Sequence, residues 1–128
     1  MVRIITRLDE IKREQSDFEA HTLGNFKVGT IIGKMRAIIA DEKMHFKASQ
    51  SKPIRIKKIN IPENHITFLA AYAANKYGHT LAVGEDVPLP MSMKKTVDHA
   101  LFVAGIDGII KKDDLIGVLI LLPVEMIS

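Results

Sequence analysis

The chain reads as mainly β: a small barrel or a β-clip-like sandwich of short antiparallel strands, with at most one or two short helices. Three observations predict this. Apolar residues alternate with polar ones along much of the sequence, the alternating runs are short and end at Gly or Pro, and branched aliphatics dominate the apolar set. Such residues suit a pleated, half-buried surface. No strand–helix–strand spacing is present, so a parallel doubly wound sheet is not expected.

The 128 residues fit one domain, taken as 1–128. Size scaling gives a folded surface of about 6,800 Å² against roughly 21,000 Å² unfolded, enough burial for one core. With 47% apolar and 26% charged residues the chain is not of the disordered class. It contains no cysteine, which excludes disulfide-stapled and zinc-thiolate mini-domains.

Residues 2–8 alternate as Val2, Ile4, Thr6 and Leu8. Residues 9–17 are highly charged; Leu8, Ile11, Gln15 and Phe18 share one helical face, so a short helix competes with a hairpin there. Residues 28–39 read as a strand with Ile31, Met35, Ala37 and Ile39 on its apolar face and Thr30, Lys34 and Arg36 turned away. Asp41-Glu42-Lys43 is a turn, after which Met44, Phe46 and Ala48 resume the alternation.

In residues 53–61, Ile54 and Ile56 share one parity and Ile59 and Ile61 the other. A strand buried on one face cannot change parity without an extra residue, which predicts a β-bulge at Lys57-Lys58. Residues 64–78 carry helix signals (Asn64 as N-cap, nearby alanines, Gly78 past the end) and strand signals (Ile66-Thr67-Phe68, Tyr72). We favour strands turning at Asn75–Gly78. Pro88 and Pro90 make Val87–Met91 an extended connection with few ladder bonds. Val97, His99, Leu101 and Val103 form one strand face, Asp98, Ala100 and Phe102 the other. Gly105–Gly108 and Lys111–Asp114 are turns. Leu115–Leu122 is apolar on both faces, so it is central in a sheet or sandwiched by a partner.

Chemical motifs are sparse. The glycine cluster Gly24–Lys34 lacks phosphate-loop spacing, and Met35 stands where a magnesium-binding hydroxyl belongs. The five histidines (His21, His45, His65, His79, His99) form no His-Glu-x-x-His and no pair three or four apart. His79, Glu85 and His99 flank the proline connection and are the candidates for a metal or acid–base pocket, with Asp107 as a further orienting carboxylate. His99, in phase with Val97 and Leu101, is expected to be partly desolvated. Neighbours on a strand point to opposite faces, so Asp98 is not expected to reach His99 unless the strand is broken there. No Gly-x-Ser-x-Gly elbow or cysteine nucleophile supports acyl transfer, and no cofactor is indicated.

The net charge is +3, with +5 carried by residues 1–64 and −2 by residues 65–128. Lys52, Arg55, Lys57 and Lys58 make a basic ribbon that is a candidate for anion contact. It lacks the interleaved exposed aromatics of a nucleic-acid surface, so nucleic acid is an unfavoured partner. No run approaches the length of a membrane span, and the N-terminus lacks signal-peptide features; a cytoplasmic protein without membrane contact is expected.

The run Asn75–Glu85, followed by Asp98-His99-Ala100-Leu101-Phe102 and by Asp107-Gly108 through Asp114–Val118, resembles an uncharacterised archaeal family found largely in methanogens, catalogued as domain of unknown function twenty-two. Gly29–Ile32 leading to Ile39–Glu42 shares the resemblance, which covers the chain from about Phe26 onward. It implies a compact, mainly β domain in an archaeal cytoplasm and assigns no activity, substrate or cofactor to these residues. Taken together, the sequence favours a non-enzymatic domain that self-associates or binds a partner. The apolar final strand points to a homo-oligomer. A small metal-dependent or acid–base enzyme and an anion- or nucleic-acid-binding module are the alternatives.

Overall fold

Period-two alternation becomes strand wherever a face can be buried. A computed structural model describes residues 22–71, 75–85, 89–125 and 127, and the described residues contain strands and turns but no helix. The expected strand at 2–8 and the helix-or-hairpin segment at 9–18 lie outside the described residues. The strands are β1 (Thr22–Val28), β2 (Ile31–Ile39), β3 (Met44–Phe46), β4 (Ser51–Ile61), β5 (His65–Leu69), β6 (Gly78–Gly84), β7 (Lys95–Ala104), β8 (Gly108–Ile110) and β9 (Leu115–Pro123).

The single strand expected over 28–39 is in fact two. Val28 pairs with Ile31, and Gly29-Thr30 is the intervening two-residue turn, with Gly29 at φ +62°. A Gly-X pair whose first residue has positive φ matches the right-handed twist of the flanking strands. The apolar face nevertheless runs on past the turn as expected: Phe26 lies over Gly33, and Met35, Ala37 and Ile39 follow in phase.

Every strand pairing is antiparallel. A four-stranded sheet runs β1-β2-β9-β5, a three-stranded sheet β4-β7-β6, and β3 pairs with β8. The architecture is an open sandwich, the second of the two forms the sequence allowed, and the described residues form no closed barrel. The apolar final strand β9 takes the central place between β2 and β5 that its composition demands. The core between the sheets is formed by Ile38 of β2, the four isoleucines of β4, Ala100 and Phe102 of β7, and Ile116, Leu119 and Leu121 of β9. Phe46 meets Phe102 edge-on, with ring centroids 5.1 Å apart and an interplanar angle of 65°.

The parity change in β4 is a bulge where the sequence places it. Arg55 pairs with His99 and Ile59 with Val97, so Ile56, Lys57 and Lys58 stand opposite Asp98 alone. Freed from β7, Ile56 bridges Ala40 at the end of β2, tying the two sheets together. The buried set of β7 switches at the same point, from Ala100, Phe102 and Ala104 to Val97. Both strands turn over together, which keeps the core continuous through the bulge.

Residues 65–69 are strand, and Asn64, at φ +55°, is a turn residue rather than a helix cap. The turn at 75–78 is present: Asn75 bridges Gly78, and the Asn75 carboxamide oxygen accepts the Tyr77 N–H at 2.9 Å. A Cβ on Gly78 would run into the Val103 carbonyl oxygen of the paired strand, and backbone cannot give way as a side-chain tip does. Gly78→Ala is therefore expected to lower the unfolding free energy measured by urea titration by about 2 kcal/mol or more. Phe102→Ala, which empties the centre of the core, is expected to cost about 3–5 kcal/mol in the same measurement.

Candidate functional site

The inward face of β7 is set by its pairing with β4. Lys95 stands opposite Ile61 and Val97 opposite Ile59, and both isoleucines are fully buried. A lysine thus begins a strand on the phase of the core. Its ammonium nitrogen is shielded from solvent and has no hydrogen-bond partner. Beside it, between the edge strand β5 and the end of β6, lies a cavity of about 210 Å³. Ile61, Val83, Leu89 and Val97 supply its apolar walls; Thr67, Glu85, Lys95 and Thr96 are its polar lining. The Thr96 hydroxyl donates to a Glu85 carboxylate oxygen at 3.2 Å and so holds that side chain at the rim.

Of the four residues expected to form a pocket, Glu85 alone lines this cavity. His99 is opposite Gly84, next to Glu85, whereas His79 is opposite Val103, four ladder positions away. At about 3.4 Å per residue that is roughly 14 Å along the sheet. Asp107 lies beyond the end of β7, where its carboxylate accepts the Ala48 N–H at 2.7 Å. Among the described residues no group of three or more His, Cys, Asp or Glu is placed to hold a metal ion.

The expectation for His99 is corrected on two points. It is exposed on the outer face, because the inward set of β7 changes between Val97 and Ala100. It also touches its neighbour: His99 Nδ1 donates to Asp98 Oδ1 at 2.9 Å. The regular ladder is interrupted at Asp98, where three residues of β4 face one of β7, so adjacent side chains are no longer held on strictly opposite faces.

The basic ribbon is interleaved with acceptors. Lys52 Nζ donates to the His45 carbonyl at 2.6 Å and sits 4.9 Å from the Phe46 ring centroid. Arg55 lies 3.8 Å from the Asp41 carboxylate, and its backbone N–H is accepted by Glu42 at 2.6 Å. Lys57 pairs with Asp113 at 2.7 Å. Lys58 is exposed. Three of the four cations therefore already face carbonyls or carboxylates of the 41–46 and 111–114 segments, and the ribbon is a surface of mixed sign.

Sequence reasoning missed Lys95, which it assigned to no element and no site. The available signal was phase: extended backwards by two, the stripe that begins at Val97 reaches Lys95.

An open antiparallel sandwich with a small, mixed-polarity cavity at its edge defines an all-β domain without a recognisable catalytic constellation among the described residues. The family model described as domain of unknown function DUF22 matches residues 1–108, and the chain belongs to that family. It is 41% identical over 126 residues to an uncharacterized protein of Methanocaldococcus jannaschii, a match covering 96% of this chain and 92% of that relative. No solved structure matches.

The role seen for Asp107 has a direct check. Asp107→Ala removes the acceptor for Ala48 N–H and should lower stability by about 1 kcal/mol in urea titration. It should also speed amide exchange at Ala48.

Proposed function

We propose that this protein is a non-enzymatic, cytoplasmic domain that self-associates through the second face of its four-stranded sheet. The observation that carries the reading is that this sheet is apolar on both sides. One side packs into the core between the sheets; the other bears Leu23, Ala37, Ile39 and Leu115 as a separate buried cluster. From that cluster the apolar surface continues outward. Met35, Ile120 and Phe68 form a cross-strand row, and Ile66 pairs with Leu122. Val28 and Ile31 pair at the hairpin end. Phe68 is 48% exposed, Ile31 49% and Val28 62%.

A run of apolar side chains on one sheet face, grading from buried to exposed, supports an interface with another apolar surface. A second copy supplies one by two-fold symmetry, since two like-twisted sheet faces pack on each other with their strands about 30° apart. The cytoplasmic part of the reading rests on the sequence, with its charged composition and lack of cysteine; no helix among the described residues is long and apolar enough to cross a membrane. The enzyme and anion-binding alternatives lack such support, with the histidines dispersed along β6 and β7 and the basic ribbon interleaved with acceptors.

Sedimentation equilibrium at micromolar concentration is expected to give a species heavier than the 14.3 kDa chain. Phe68→Asp puts a charge in the middle of the face and should weaken association tenfold or more, about 1.4 kcal/mol, without changing the far-ultraviolet spectrum. A parent protein that sediments only as the monomer would sink the reading.

A further inference from the structure

We propose that the cavity beside Lys95 is a binding site for a small aliphatic amino acid, its carboxylate held by Lys95, its ammonium by Glu85 and its side chain by the apolar walls. The site lies between the sheets at their β5–β6 edge, away from the face assigned to self-association, and stands independently of that reading.

Lys95 is the first argument. It occupies an inward phase, opposite buried Ile61, and its nitrogen is shielded from solvent with no acceptor in reach. A desolvated cation without a partner is costly, and an arriving carboxylate removes that cost while forming a charge-assisted hydrogen bond. The four-carbon stem of lysine gives the ammonium the freedom to turn into the cavity. Nothing in the fold needs this charge, since an apolar side chain would serve the core better at that phase.

Glu85 is the second. Thr96 holds one of its oxygens, leaving acceptor capacity on a carboxylate that lines the same cavity. Lys95 and Glu85 form no hydrogen bond with each other. Two opposite charges on one apolar cavity, each unmatched by the other, complement a ligand that carries both signs. A simple carboxylic acid would use only one of them.

Size and lining narrow the class. At roughly 30 Å³ per water, about 210 Å³ accommodates on the order of seven water-sized groups. That suits a compact amino acid with a short branched side chain against Ile61, Val83 and Val97.

The test is an amide-shift titration of the full isotope-labelled chain with L-valine, 3-methylbutanoate and 2-methylpropylamine, each to about 20 mM, well above a millimolar dissociation constant. L-Valine is expected to shift the amides of Thr67, Glu85, Thr96 and Val97 with millimolar affinity, and to bind at least tenfold tighter than either single-charge probe. Lys95→Met should fold with an unchanged or raised melting temperature and lose L-valine binding tenfold or more. Glu85→Gln, at the rim, should weaken L-valine likewise while leaving 3-methylbutanoate unaffected. No shift at these amides with L-valine would overturn the proposal. So would L-valine binding that survives in folded Lys95→Met, or 3-methylbutanoate binding as tightly as L-valine.

Discussion

The fold depends on one constraint, the bulge at which β4 and β7 exchange their inward-facing residues. Isoleucines 54 and 56 enter the core on one parity and 59 and 61 on the other, and β7 changes over opposite them. Ile56, Lys57 and Lys58 stand opposite Asp98 alone, two residues more than a regular ladder holds, and both strands change parity together at this point. Because Ile56 leaves β7 and bridges Ala40, the same irregularity joins the two sheets. It also fixes the phase of the strand beyond it, and so decides that Lys95 and Val97 point inward while His99 points out.

The four-stranded sheet obeys a second constraint, set by composition. A central strand as apolar as β9 cannot leave either face in water without a large unfavourable area. One face is satisfied by the opposing sheet. On the other, burial is complete at Ala37 and Ile39 and declines towards Phe68 and the Val28–Ile31 pair. The gradient follows distance from the Leu23–Leu115 cluster: one end of this face is buried, while Phe68, Ile31 and Val28 at the other stay exposed.

Much of this was legible in the sequence. The bulge could be read because the four isoleucines are bulky and flank two lysines, so the parity change left a clear trace. The central place of β9 followed from apolar residues at consecutive positions. The Gly29-Thr30 turn was hidden because a two-residue hairpin leaves Ile31, Met35, Ala37 and Ile39 in phase and simply adds a partner strand. His99 was misplaced for a different reason: β7 carries apolar residues on both parities, and small Ala100 and Ala104 mark the inward set less visibly than Leu101 and Val103 mark the outward one. The cavity depended on register between strands distant in sequence, which no local pattern encodes; its Glu85 was singled out from its position after a short strand, its Lys95 was not.

Among the described residues, two side chains carry a buried nitrogen without a partner, Arg36 at Nε and Lys95 at Nζ, and they differ in what remains to them. Arg36 is opposite Leu119, and its Nη1 donates to the Met35 carbonyl at 3.1 Å. A guanidinium spreads one charge over three nitrogens and five N–H groups, so a single shielded N–H leaves most of its hydrogen bonding intact. A lysine concentrates its charge on one nitrogen, and when that nitrogen is shielded nothing is left over. The arginine is therefore tolerable as a structural residue that reaches past the core, whereas the lysine is matched only when a ligand brings an acceptor to it. That asymmetry, together with a carboxylate on the same apolar cavity, is what separates the edge at Lys95 from every other polar cluster described in the molecule.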